Sequence, residues 1–140
     1  MSALSKQFEF IINTGTSTAT SVAIPSAAIS VDGNSIFKSI PQKGDGYYGS
    51  SDGLHTVSYT VTPNFVGTLT TQATLATAPI EADWFEVADT SVEYSQLVNP
   101  VATTTTNYFN FMGNFVWCRA VMHRADLPLN GSLLFVNYNH

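Results

Sequence analysis

The sequence predicts an all-β fold, an antiparallel β-sandwich of jelly-roll type with about eight to ten strands, and three observations carry that expectation. Short runs of β-branched and aromatic residues recur along the chain, separated by Gly, Pro, Asn and Asp in turn-forming positions. The clearest runs alternate apolar and hydroxyl side chains with the period of a half-buried strand. Nowhere do apolar residues keep the i, i+3, i+4, i+7 spacing of an amphipathic helix over several turns. With 140 residues and 44% hydrophobic content, the chain is expected to form a single domain, residues 1–140, whose core needs neither disulfide nor metal.

The elements follow in order. Phe8 to Ile12 is aromatic and β-branched and runs into Asn13-Thr14-Gly15-Thr16, a strand followed by a turn. Ser21 to Ile24 is a short strand closed by Pro25, which removes a ladder donor. Ala27 to Val31 and Asn34 to Ile40 flank Asp32-Gly33 and are expected to pair as a hairpin. Residues 42–53 hold four of the nine glycines, two tyrosines and no aliphatic residue, so a Gly/Tyr-rich loop is expected there.

Beyond this loop, His55, Val57, Tyr59 and Val61 alternate with Thr56, Ser58, Thr60 and Thr62, placing apolar groups on one face and hydroxyls on the other. Phe65, Gly67, Leu69, Thr71, Ala73 and Leu75 alternate likewise after Pro63-Asn64, the expected second strand of a long hairpin. Asp83 to Val87 is a further short strand, and Asp89 to Thr106 reads mostly as loop. Asn107 to Met112 and Phe115 to Met122 are joined by Gly113-Asn114, the dipeptide of a tight hairpin. Ser132 to Tyr138 is a terminal strand so apolar that it is expected to pair centrally rather than lie bare at an edge.

Only 11% of the residues are charged, where an average domain carries about 25%, while 31 residues are Ser or Thr and supply the polar surface instead. Lys6, Lys38, Lys43, Arg119 and Arg124 are scattered in a chain of net charge −5, which argues against nucleic acid and against an anionic membrane as partners. The N-terminal residues lack the basic start and apolar run of a secretory signal, and no stretch approaches a membrane span, so synthesis in a cytoplasm is expected.

Chemistry-bearing residues are few. Cys118 is the single cysteine, which rules out an internal disulfide and Cys-pair motifs, and its apolar neighbours read as a core position. His123 and Asp126 lie near Arg124 without the Gly-x-Ser-x-Gly elbow of a serine hydrolase. Glu81, Asp83 and Glu86 surround Trp84 in the manner of a sugar-cleaving groove, but solvated carboxylates beside a packed Phe85 account for them more simply. Trp84, Tyr47 and Tyr48 offer ring faces on which a sugar can stack without hydrolysis. Asp32, Asp45 and Asp52 sit beside glycines where a sandwich can hold calcium, although turn formation explains each. His55, His123 and His140 have no metal-ligand spacing, and no cofactor is expected. Arg119, alternating with Trp117 and Val121, is expected to be paired within the sandwich or at a subunit contact.

One pattern is shared with a known group. Tyr108-Phe109-Asn110-Phe111-Met112-Gly113-Asn114-Phe115-Val116-Trp117-Cys118-Arg119-Ala120 and Gly131 to Tyr138, with Gly67 to Leu75 and Trp84 to Val87 upstream, resemble small β-sandwich virion structural proteins of tailed bacteriophages, of the marine and cyanophage type. The resemblance covers residues 65–140 and does not reach the 42–53 loop. It implies a non-enzymatic building block located in the virion, a head decoration or a neck, tail or baseplate component, whose partners are copies of itself and other virion proteins. Tyr47, Tyr48, Phe65 and Trp84 are then the candidate contact residues. The alternative expectation is a carbohydrate-binding module for host-surface glycans.

Overall fold

The computed structural model describes residues 5–13, 17–26, 28–31, 35–49, 52–124 and 131–140. Its elements are β1 (Ser5–Gln7), β2 (Phe10–Asn13), β3 (Thr18–Ser21), β4 (Ile29–Ser30), β5 (Ile36–Lys38), β6 (Gln42–Lys43), α1 (Asp45–Tyr48), β7 (Leu54–Val61), β8 (Gly67–Thr74), β9 (Phe85–Glu86), β10 (Val92–Tyr94), β11 (Thr105–Met112), β12 (Trp117–Arg124) and β13 (Leu133–Asn139), with a 3-10 turn at Glu81–Asp83. The strands exceed the expected eight to ten because several, such as β6 and β9, are only two residues long. The stretch read as loop from Asp89 to Thr106 also contains β10, which buries Tyr94.

Two antiparallel sheets form a sandwich. One has the order β1-β13-β7-β11; the other has the order β10-β8-β12-β5, with β6 also pairing to β12 and β9 to β8. The terminal strand β13 is central, as its apolar content requires. A small third sheet, β3-β2-β4, spans the two, since Phe10 bridges to Ser39 beside β5 and Ile24 bridges to Leu133 in β13.

Three expected hairpins are not formed. β4 pairs with β2 and β5 with β12, so these two strands belong to different sheets; the Asp32-Gly33 turn itself lies outside the described residues. β7 and β8 are likewise in different sheets, and so are β11 and β12. Packed sheets stand about 10 Å apart, so the connections must climb between layers rather than turn tightly. They do so with an aromatic wedge each. Phe65 is buried between β7 and β8, edge-on to Tyr94, and Phe115 packs against Phe111 and His55 between β11 and β12. Successive long strands placed in opposite sheets in this way give the jelly-roll wrapping.

The core lies between the sheets. Val57, Tyr59 and Val61 of β7 and Val136 and Tyr138 of β13 face Leu69 and Ala73 of β8 and Cys118, Ala120 and Met122 of β12, all buried. Each fully buried aliphatic or Phe side chain contributes about 1.5–3 kcal/mol relative to exposure. Among the described residues His140 Nε2 is a buried side-chain atom without a hydrogen-bond partner, while the polar groups within the core are paired. The Tyr59 hydroxyl donates to the Thr90 carbonyl at 2.9 Å and lies 2.6 Å from Thr71 Oγ1, tying β7 to β8 and to the segment that follows β9. His55 Nδ1 is 2.8 Å from the Tyr138 hydroxyl and its Nε2 2.7 Å from the Gly113 carbonyl oxygen.

The described residues of the 42–53 loop, 42–49 and 52–53, include β6 and the turn α1 and are tied to the strands beside them. Gly44 N–H donates to the Val116 carbonyl and Gly46 N–H to the Phe115 carbonyl, at 2.9 and 2.8 Å. A Cβ on Gly46 would sit 2.0 Å from the Asn114 carbonyl oxygen, so this close approach requires glycine. Asp45 is buried and accepts the Gly53 N–H at 2.9 Å, while its other oxygen lies 2.7 Å from His140 Nδ1. The single turn of α1 is thereby fastened to the end of β13.

Candidate functional site

β12 organises the outer face of the six-stranded sheet. Its alternation sends Cys118, Ala120 and Met122 inward and Trp117, Arg119, Val121 and His123 outward. In register beside them stand Lys43 and Thr74 for Trp117, and Gln72 for Arg119, with Lys38 opposite Val121. The segment 75–84 lies over this face. The Trp117 indole N–H donates to the Thr77 carbonyl at 3.0 Å. Glu81 forms a two-point ion pair with Arg119, at 2.9 and 3.1 Å, and a third contact with Lys38 Nζ at 2.7 Å.

Arg119 is fully committed within the fold. Its Nε donates to Gln72 Oε1 at 2.9 Å, and its guanidinium lies 4.2 Å from the centre of the Trp84 ring, a cation–π contact. The hydrogen bonds from Arg119 and then from Lys38 hold the Glu81 carboxyl down at about 2. A general acid needs the opposite shift, so Glu81 is an anchor for segment 75–84 rather than an acid of a sugar-cleaving pair. Asp83 accepts the Ile80 N–H at 2.9 Å and Glu86 is exposed on β9.

A groove of about 510 Å³ opens beside Trp117, walled by Ile40 and Pro41 on one side and by Thr77, Ala78 and Pro79 on the other. Its size falls within the usual range of ligand clefts, about 300–1,000 Å³. Of the two tyrosines on α1, Tyr47 touches Trp117 of its wall, and Tyr48 lies edge-on to Tyr47. Tyr47 meets Trp117 edge-to-face at 5.2 Å and carries the Lys43 ammonium 4.4 Å from its ring centre. Tyr48 stacks on the His140 ring at 5.6 Å and 20°. These contacts fix both rings, yet 45% of Tyr47 and 54% of Tyr48 remain exposed.

The expected contact residues therefore separate. Tyr47 and Tyr48 are brought together, Tyr47 against Trp117 of the groove wall, and Trp84 stands on the same sheet face, backed by Arg119. Phe65 is only 1% exposed, inside the core, and offers no surface for a contact. Trp117 was not singled out as a site residue, although its alternation with Arg119 was the signal that places both on one face.

The remaining candidates are used structurally. Burial pushes the Cys118 thiol up to about 12, with the Tyr138 hydroxyl 3.4 Å from its sulfur, so it is not a nucleophile. Asp45 spends its oxygens on Gly53 and His140, and Asp52 accepts the Leu54 N–H at 3.0 Å, both as backbone anchors. Arg124 donates to the Pro25 and Ala28 carbonyls at 2.7 and 2.6 Å. His123 is exposed at the end of β12, and Asp126 and Asp32 lie outside the described residues.

No protein-family model matches the sequence, and none of the curated proteins matches it either. Among solved structures, the chain is similar to a carbohydrate-binding module of Cellvibrio mixtus lichenase 5A in complex with cellotriose, at 12% identity and a TM-score of 0.45, covering 100% of this chain and 98% of that one. It is similar to a family 29 carbohydrate-binding module from Piromyces equi at 9% identity and a TM-score of 0.48, covering 97% and 80%. A third is the K1 cleaved adhesin domain of Lys-gingipain from Porphyromonas gingivalis W83, at 7% identity and a TM-score of 0.45, covering 99% and 95%.

Proposed function

We propose that this sandwich is a non-catalytic glycan-binding module whose ligand lies along the groove beside Trp117 and against the rings of Tyr47 and Tyr48. The single observation that carries this reading is the pair of half-exposed tyrosines, each backed on one side, with Tyr47 against the Trp117 wall of an apolar cleft. Sugar rings present apolar faces that stack on aromatics, and a ring already held in place loses little entropy on binding. Lys43, whose ammonium lies against the Tyr47 ring, supplies hydrogen-bond donors for sugar hydroxyls. Glycan-array screening followed by calorimetry tests this. Binding that falls at least tenfold in Tyr47→Ala and in Tyr48→Ala, with Trp84→Ala weakening it too, is expected; a chain that binds no glycan, or binds equally after both tyrosine changes, overturns the reading.

A second reading, a bacteriophage virion component acting in many copies, is favoured by a different observation. The outer face of the four-stranded sheet carries Thr56, Ser58 and Thr60 of β7 beside Thr106, Tyr108 and Asn110 of β11, without a charged group in either row. Such a surface costs little to desolvate against a neighbouring subunit. Imaging of a particle that carries the chain tests it: density for the subunit on head, neck or tail supports it, and absence from the particle excludes it.

A further inference from the structure

β11 is an edge strand of an unusual kind. In the order β1-β13-β7-β11 it has β7 on one side and, among the described residues, no strand on the other. The other outer strands of the two main sheets, β1, β5, β6, β9 and β10, are two or three residues long, whereas β11 runs for eight with an unbroken register against β7. Edges of this length are normally blunted by a charge, a proline or a bulge, because their free N–H and C=O groups recruit other strands. The sequence Thr-Thr-Asn-Tyr-Phe-Asn-Phe-Met contains no charge and no proline, and its pairing contains no bulge.

We infer that β11 is a dimerisation edge, on which a second copy of the chain adds its own β11 antiparallel to form one continuous eight-stranded sheet. This does not rest on the glycan reading. The occupant follows from charge and register. Copies of a chain with net charge −5 repel one another, and β11, flanked by the uncharged outer row of β7, is a place where they meet without like charges opposed. Residues directly opposite in an antiparallel pair share a face, so a two-fold axis normal to the sheet must pass through a residue rather than between two.

With the axis at Tyr108, the 68% exposed phenol ring at mid-strand meets its own copy. Thr106 then faces Asn110 on the outer side, and Asn107 and Thr105 face Phe109 and Phe111 on the inner side. The Thr–Asn match repeats chemistry already present within the sheet. Thr56 Oγ1 donates to Asn110 Oδ1 at 2.7 Å, and Thr60 and Thr106 hydroxyl oxygens are 2.8 Å apart. The Asn110 amide N–H groups remain to donate to Thr106 of the second copy.

Sedimentation equilibrium over micromolar to millimolar concentration tests the inference, with twice the 15.1 kDa chain mass expected. Tyr108→Lys places two ammonium groups opposite each other and is expected to return the mass to a single chain, while circular dichroism melting shows the sandwich still folded. Tyr108→Cys is expected to cross-link to its own copy under mild oxidation and to be released by a reductant, Cys118 being too buried to take part. Wild-type chain that stays single throughout, leaving the edge to a different protein, overturns the inference. So does a dimer that survives Tyr108→Lys, and failure of Tyr108→Cys to cross-link overturns the register.

Discussion

On β7 and on β8 the outward positions are filled by similar small polar residues, yet the two sheets present different surfaces. Thr56 and Ser58 of β7 stay on the outside of the four-stranded sheet, in an uncharged row. Thr70 and Thr74 of β8 are buried, because segment 75–91 folds back over the six-stranded sheet; Ser91 donates to Thr70 at 2.6 Å and the Ala76 N–H to Thr74 at 3.1 Å. What holds that cover is Glu81 on Arg119 and Lys38, the cluster that concentrates charge on this side. A threonine alternation therefore marks a face that avoids the core, and only a neighbouring segment decides whether that face is surface or interface.

The largest effect that would break this contrast is expected from Arg119→Ala, which removes the anchor of segment 75–84 together with the contacts to Gln72 and Trp84. It should cost roughly 2–3 kcal/mol in denaturant unfolding. A loss below about 1 kcal/mol would mean that Arg119 does not hold the cover down.

A pH titration of stability sharpens the comparison next. Burial lowers the pKa of His55 from 6.5, so the unfolded chain takes up that proton first and stability declines as pH falls below 6.5. Glu81 titrates at about 2 in the folded chain against 4.5 unfolded, so its contribution is complete above 4.5 and is lost as pH falls from there toward 2. Its side chain is 62% exposed, and solvent screening keeps this second step small. In Glu81→Gln the lower step should vanish while the step below 6.5 remains; persistence of both would detach the acid response from the charged face.

On the uncharged face, Asn110→Ala removes a solvent-exposed hydrogen bond to Thr56 and should cost about 0.5 kcal/mol within the single chain. A loss comparable to that of Arg119→Ala would erase the contrast. The smallest signal is expected between the faces, where Cys118, with its thiol raised to about 12, should resist alkylation at neutral pH until the chain is unfolded.

Much of the fold was legible because period-2 alternation is a local property. The runs read as strands at 55–62, 115–122 and 132–138 correspond, within two residues at each end, to β7, β12 and β13, and the central place of β13 could be read from its apolar content. The partner of each strand was not legible. Pro63-Asn64 and Gly113-Asn114 signal that the chain turns, but not that Phe65 and Phe115 carry it into the opposite layer. The same limit governs the site. Tyr47 stood out as an aromatic, whereas its contact with Trp117 depends on glycines at 44 and 46 that let a loop lie against the 114–116 backbone. The alternation of Phe65 with Leu69 and Ala73 already put its ring on the buried face, which is why it offers no contact surface.

The two tryptophans, Trp84 and Trp117, both stand on the outer side of the six-stranded sheet, one against a guanidinium and the other bonded through its indole N–H. The chain thus carries an intrinsic fluorescent reporter confined to one side of the sandwich. Emission excited at the indole band should respond to whatever enters the groove beside Trp117 and stay silent when strands join at β11 in the other sheet. Optical titration can in this way follow occupancy of one face without a label, while hydrodynamic mass follows the other.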